Sequence, residues 1–114
     1  MSDEPPQAGD LVWVDFNPQS GHEQAGRRPA LVLSPQGYHA RTALAVACPI
    51  TSNTSAYPFK VLLPDGLPIG GAILADQVKS IDRHARGLQI AGRVPPAVLA
   101  EVKAKLAALL GLET

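Results

Sequence analysis

Apolar residues fall along this chain in short runs, broken at close intervals by Gly, Pro, Asn, Asp or Ser, and the period of the pattern changes once, near Pro95. Before that point the runs are too short for helices and rich in β-branched and aromatic residues, so each predicts a strand. Leu11-Val12-Trp13-Val14-Asp15-Phe16 is the first, ended by Asn17-Pro18. Six more follow at 29–33, 43–48, 59–63, 71–74, 77–81 and 88–91. Short strands at this spacing predict a mainly β fold, a small barrel or sandwich. From Pro95 onward, Leu99, Val102, Leu106, Leu109 and Leu110 recur at offsets of 0, 3, 7, 10 and 11, one face of an α-helix. Pro95 and Pro96 suit its first turn, Glu101 and Lys105 stand at i,i+4, and Gly111 stops it. The leucine face is expected to pack on the sheet.

Composition narrows the class. The 114 residues make one domain, 46% apolar and 18% charged, within the range of folded proteins. Residues 1–8 are polar and proline-bearing and are read as a disordered tail, which leaves 9–114 as the domain. No run reaches the ~18 to 20 apolar residues of a membrane span, and MSDEPPQAGD lacks the basic start and apolar core of a signal peptide. A cytoplasmic protein with no membrane association is the expectation. The single cysteine, Cys48, makes no internal disulfide, and its apolar neighbours predict a core position.

The formal charge is zero, but from Gly21 to Arg93 eight basic residues face four acidic ones. A local basic excess suits an anionic ligand such as nucleic acid.

The stretch GHEQAGRRPALVLSP at 21–35 concentrates that polarity. Glycines and Pro18 account for the turn between the first two strands, but not for Glu23, Gln24, Arg27 and Arg28. Pro29 biases Arg28 toward an extended backbone at the mouth of the next strand, which fixes the root of its guanidinium. Glu23, five residues earlier, has the spacing either to hydrogen-bond it across the loop or to form an ordinary surface ion pair with it. A second polar cluster, Pro49-Ile50-Thr51-Ser52-Asn53-Thr54-Ser55, follows the third strand. An arginine and a hydroxyl converging on one groove supply what a phosphodiester needs: charge against the phosphoryl oxygens and a donor that orients them.

Taken together, GDLVWVDFNP at 9–18, EQAGRRPALVLSP at 23–35, the loop from Pro49 to Thr54, YPFKV at 57–61 and LADQVKSID at 74–82 closely resemble the MazF/PemK family of toxin endoribonucleases. The resemblance runs from Gly9 to Gly111. It implies an SH3-like small β-barrel with a C-terminal helix, a homodimer, cleavage of single-stranded RNA (mRNA) without metal or other cofactor, and restraint by a cognate antitoxin protein. Position by position, the motif's arginine falls on Arg28, its acid on Glu23 and the hydroxyl after the third strand on Thr51. These three are the implied catalytic residues. Arg27, Gln24, Ser52, Asn53, Gln77 and Lys79 are the implied RNA-binding set.

Metal-free RNA cleavage by attack of the 2′-hydroxyl, which leaves a 2′,3′-cyclic phosphate and a 5′-hydroxyl, needs a base, a cation and an acid. Arg28, always protonated, fits the cation. Glu23 is left with two roles, base or brace of Arg28, and His22 beside it is a second candidate for proton transfer. His39 and His84 lie outside the motifs and are assigned to the surface. Trp13 and Phe16 are read as core, while Tyr57 and Phe59 suit either core or base stacking. The cysteines, histidines and carboxylates show no metal-ligand spacing. Two alternatives share the barrel: a CcdB-type gyrase-directed toxin, which gives no reason for Arg28 with Thr51, and an RNA-binding module without catalysis.

Overall fold

β1 (Asp10–Val14), β2 (Arg28–Val32) and β3 (Leu44–Thr51) lie side by side and antiparallel in the computed structural model, which describes residues 4–15 and 26–112. Both faces of these strands are covered. Leu11, Leu31, Cys48 and Ile50 point into one cluster with Val61 and Ile73. Val12, Val14, Ala30, Val32, Ala45 and Ala47 point the other way, against Ile81 and Leu88. Side chains alternate across a strand, so burial on both sides requires the near-continuous apolar runs seen in the sequence.

The remaining strands are β4 (Lys60–Leu62), β5 (Ala72–Leu74), β6 (Lys79–Asp82) and β7 (Gln89–Arg93). The sheet order is β4-β5-β3-β2-β1-β7, and β6 also pairs with β3. β3 is shared among three neighbours: Ala47–Pro49 pair with β2, Leu44–Ala47 with β6 and Ile50–Thr51 with β5. Every pairing is antiparallel. All seven expected strands are present. The ends of the path, β4 and β7, do not pair among the described residues, so the sheet curls without closing and the expected barrel is an open one. β3 also continues past the expected end at Cys48 as far as Thr51.

The C-terminal helix, α2 (Pro96–Leu110), starts behind Pro95, and Gly111 ends it in the left-handed conformation at φ 73°. The Leu112 amide closes the end on Ala107 O at 2.8 Å. Val102 is fully buried, and Val98, Leu99 and Leu106 pack on the first cluster. Leu109 and Leu110, expected on the same packed face, are exposed. Lys105 donates to Pro58 O at 2.7 Å rather than pairing with Glu101.

A single helical turn, α1 (Gln36–His39), was not foreseen. It buries His39, which contradicts the surface assignment. The ring bridges Ser34 Oγ at 2.6 Å and Pro6 O at 2.7 Å. Ser34 Oγ accepts the Val46 amide, so its hydroxyl proton is available to His39 Nε2 while Nδ1–H goes to Pro6. Residues 4–8, expected within a disordered tail, are therefore partly tied down: Pro6 is buried and Gln36 Nε2 donates to Pro5 O.

Candidate active site

Arg28 opens β2 and Thr51 closes β3. The two strands pair Ala30 with Pro49, and continuing that register two residues outward brings Arg28 level with Thr51. Both belong to the face that carries Ala30 and Ala47 inward, and both lie beyond the point where that face's apolar cover stops. There they line one open pocket of about 290 Å³ together with Pro29, Ile50, Ser52 and Gly70. Arg28 and Thr51, expected to converge on one groove, are thus lining residues of one pocket.

The pocket's hydroxyl is prepared as a donor. Thr51 Oγ1 accepts the Asn53 amide at 3.1 Å, which uses one lone pair and leaves its O–H for an incoming oxygen. Asn53 Oδ1 in turn accepts the Ser55 amide at 2.9 Å. Lys60 clasps the same loop, donating to Ser55 O at 3.0 Å and reaching Asn53 Oδ1 at 3.4 Å. Behind the pocket, Gly71 adopts φ 116°, and a Cβ there would stand 2.2 Å from Thr51 O. Only glycine lets the strand partner approach so closely. Sequence reasoning missed both supporting residues; Lys60 stood inside the YPFKV motif and Gly71 beside a second glycine, Gly70.

Arg27 and Arg28 diverge. The Arg27 guanidinium donates to Trp13 O at 2.9 Å and to Gly87 O, and sits 3.4 Å from Asp15 Oδ2. It ties the end of β1 to the β6–β7 turn and is not among the pocket residues. Arg83 is spent similarly, on His39 O and Thr42 O, both at 2.9 Å. Part of the basic excess read as a nucleic-acid footprint is therefore internal scaffolding.

Of the other expected residues, Ser52 lines the pocket and Asn53 shapes its loop. Gln77 is exposed in the short 3-10 turn Ala75–Gln77, and Lys79 is exposed on β6 opposite Ala47. Four residues of strand separate Ala47 from Thr51, about 13 Å, so Lys79 belongs to the flank of the site rather than its centre. Glu23 and Gln24, with His22 and Phe16, lie outside the described residues.

The other titratable groups are placed for structure. Burial pushes the Cys48 thiol up to about 12, with a smaller contribution from Asp76, as suits the expected core cysteine. Asp82 Oδ1 accepts the Ala85 and His84 amides, and those bonds, Ala85's first, hold its carboxyl below the ordinary range. His84 is exposed, as expected. Tyr57 donates to Asp76 Oδ2 at 2.5 Å, which raises its hydroxyl above the usual tyrosine value. Among the described residues no three His, Cys, Asp or Glu side chains are grouped to hold a metal, and no helix is long and apolar enough to cross a membrane.

The whole is an open, antiparallel sheet covered by one C-terminal helix, with Arg28 and Thr51 lining one pocket at the end of its central strands. Residues 7–110 match the profile described as PemK-like, MazF-like toxin of type II toxin-antitoxin systems, and the chain belongs to that family. It is 49% identical over 106 residues to the endoribonuclease toxin MazF of Escherichia coli K12, covering 93% of this chain and 95% of that one. The crystal structure of MazF (Form-I) from Deinococcus radiodurans superposes with a TM-score of 0.86 at 52% identity, over 96% of this chain and 99% of that chain. A MazE-MazF complex (Form-II) from the same organism gives 0.87 at 46% identity, over 97% and 100%.

Proposed function

We propose that this protein is the toxin of a type II toxin-antitoxin pair, an endoribonuclease that cuts single-stranded mRNA at a short sequence without a metal ion and so arrests translation and growth in the cytoplasm. The single observation that supports it most is the pocket shared by Arg28 and Thr51, in a chain whose close relatives are named endoribonucleases.

In the proposed reaction a base removes the proton of a 2′-hydroxyl, and the oxygen attacks the neighbouring phosphorus. The bond from phosphorus to the 5′-oxygen breaks, and that oxygen takes up a proton. A 2′,3′-cyclic phosphate and a 5′-hydroxyl remain. Arg28 offsets charge as it develops on the phosphoryl oxygens and donates a hydrogen bond toward the leaving oxygen. Thr51 holds a phosphoryl oxygen with its free O–H. Glu23 acts as the base or orients Arg28, and His22 is the competing proton carrier; pH profiles of Glu23→Gln and His22→Gln separate these roles. Gln24, Ser52, Asn53, Gln77 and Lys79 extend the RNA contact along the groove. Arg27 contributes through the shape of the site more than through phosphate.

The active form is proposed to be a homodimer, whose two copies extend the groove, with light scattering at micromolar concentration as the check; a monomer mass across the range contradicts it. The functional test is incubation of a long RNA in EDTA, followed by mapping of the new ends. Cuts at one short sequence with 5′-hydroxyl ends support the reading. Intact RNA, or cleavage that chelation stops and magnesium restores, overturns it.

A further inference from the structure

We propose that Tyr57 is a stacking platform for a second nucleobase of the bound RNA, outside the Arg28–Thr51 pocket. The inference rests on the ribonuclease reading above and adds a subsite to it.

Tyr57 is 47% exposed, yet the segment that carries it is held at several points. Its hydroxyl is anchored on Asp76 Oδ2 at 2.5 Å. Its carbonyl accepts the Lys60 amide at 3.0 Å, the Pro58 carbonyl accepts Lys105 Nζ at 2.7 Å, and the Phe59 carbonyl accepts the Ala75 amide at 3.0 Å. The ring leans on Phe59, with centroids 6.2 Å apart and planes at 58°. An aromatic fixed this firmly, with nearly half its surface open to solvent, has little conformational entropy left to lose when a flat ligand covers it. The bond to Asp76 raises the phenol above its ordinary value of 10.0, so the ring is neutral at physiological pH.

Position argues for a base as that ligand. Val61 and Ile50 both point into the first cluster, so their neighbours Lys60 and Thr51 point to the opposite side of the sheet. Thr51 pairs with Ala72 on β5, and Lys60 pairs with Leu74 two residues further along the same strand. The chain from Thr51 to Tyr57 is a single short loop, and Lys60 clasps it at Ser55 and Asn53. An ammonium bound to the loop that joins the pocket to the ring offers charge to the RNA backbone there. An aromatic face beside a tracked cation is the arrangement that binds single strands.

The test uses the full-length protein and a short RNA containing the mapped cleavage sequence, made uncleavable by a 2′-deoxy sugar at the scissile nucleotide. 2-Aminopurine replaces one base at a time. Wild type should quench its fluorescence strongly at one position outside the scissile step. Tyr57→Leu should abolish that quenching and weaken binding by about 5- to 150-fold. With cleavable RNA it should raise KM and spare kcat, and Tyr57→Trp should restore both affinity and quenching. Circular dichroism and light scattering confirm fold and mass. Affinity within twofold of wild type, unchanged quenching, or a change in oligomeric mass in place of an affinity loss overturns the platform while leaving the ribonuclease reading intact. Wild type that neither binds nor cuts RNA overturns both.

Discussion

Arg28 and Thr51 stand level on neighbouring antiparallel strands and line the same pocket, although neither is near the other in sequence. The relationship is imposed by register. A slip of one residue between β2 and β3 would send one of the two side chains to the opposite face of the sheet, and the double-sided burial of Ala30, Leu31 and Val32 forbids that slip. The core therefore aligns the groups that do the proposed chemistry.

The adjacent arginine has a different task, and substitution separates the two. Arg27→Ala removes a guanidinium shared by Trp13 O, Gly87 O and Asp15. It is about one-third exposed, so solvent screens part of the loss. The expected cost is about 1 to 2 kcal/mol in denaturant unfolding, with turnover of the folded protein within a few-fold of wild type. A large loss of turnover at unchanged stability would move the catalytic role to Arg27.

Gly71 is expected to be intolerant. Gly71→Ala forces a left-handed backbone on an L side chain and drives its Cβ into Thr51 O, with strain of about 1 to 3 kcal/mol before any relaxation. Relief requires the end of β3 to move, so turnover and thermal stability should both fall. Gly70→Ala is the control, since a Cβ there meets nothing within 4 Å. Its melting temperature should stay in place, and equal melting temperatures for both variants would contradict the close approach.

How much of this was legible beforehand follows from which interactions are local. The strands were visible because each is a run of apolar residues between turn residues, and α2 because its period is 3 to 4. Period names a face but not what covers it, which is why Leu109 and Leu110 were misplaced. α1 is one turn containing Gly37 and has no period to detect. His39 was misassigned because its ring is held by a hydroxyl across the α1 turn and by the carbonyl of Pro6, 33 residues away, and neither leaves a sequence signature. Arg28 was legible through Pro29. The divergence of Arg27, the clasp of Lys60 and the approach of Gly71 to Thr51 exist only once the strands pair.

Cys48 gives a pH-dependent signal of the fold. Its folded pKa, about 12, lies above the ordinary thiol value of 9.0. A raised folded pKa means that its contribution to stability is complete below pH 9.0 and is lost as pH rises toward 12. The native thiol should resist iodoacetamide at pH 8 and react only on unfolding. Rapid alkylation of the native protein would contradict its burial.

Antitoxin binding is expected to exclude RNA. An extended acidic segment that orders on binding can match the same basic groove. Titrating the antitoxin against labelled, uncleavable RNA should then show mutual displacement. Simultaneous binding without loss of either affinity would place the antitoxin elsewhere.

The central claim, that Arg28 stabilises the transition state of RNA cleavage, is tested most directly by single-turnover cleavage of one short RNA by wild type and Arg28→Ala, with circular dichroism as the folding control. Arg28 is exposed at a strand mouth, so its removal opens no cavity and the variant should fold normally. Loss of one preorganised donor to developing charge should lower the rate by roughly 10² to 10³. Binding of uncleavable RNA should fall only modestly, since phosphate contacts are spread over several groups. Arg28→Lys should remain poor, because an ammonium cannot reproduce the planar fork. A folded Arg28→Ala protein that cleaves at nearly the wild-type rate would contradict the claim.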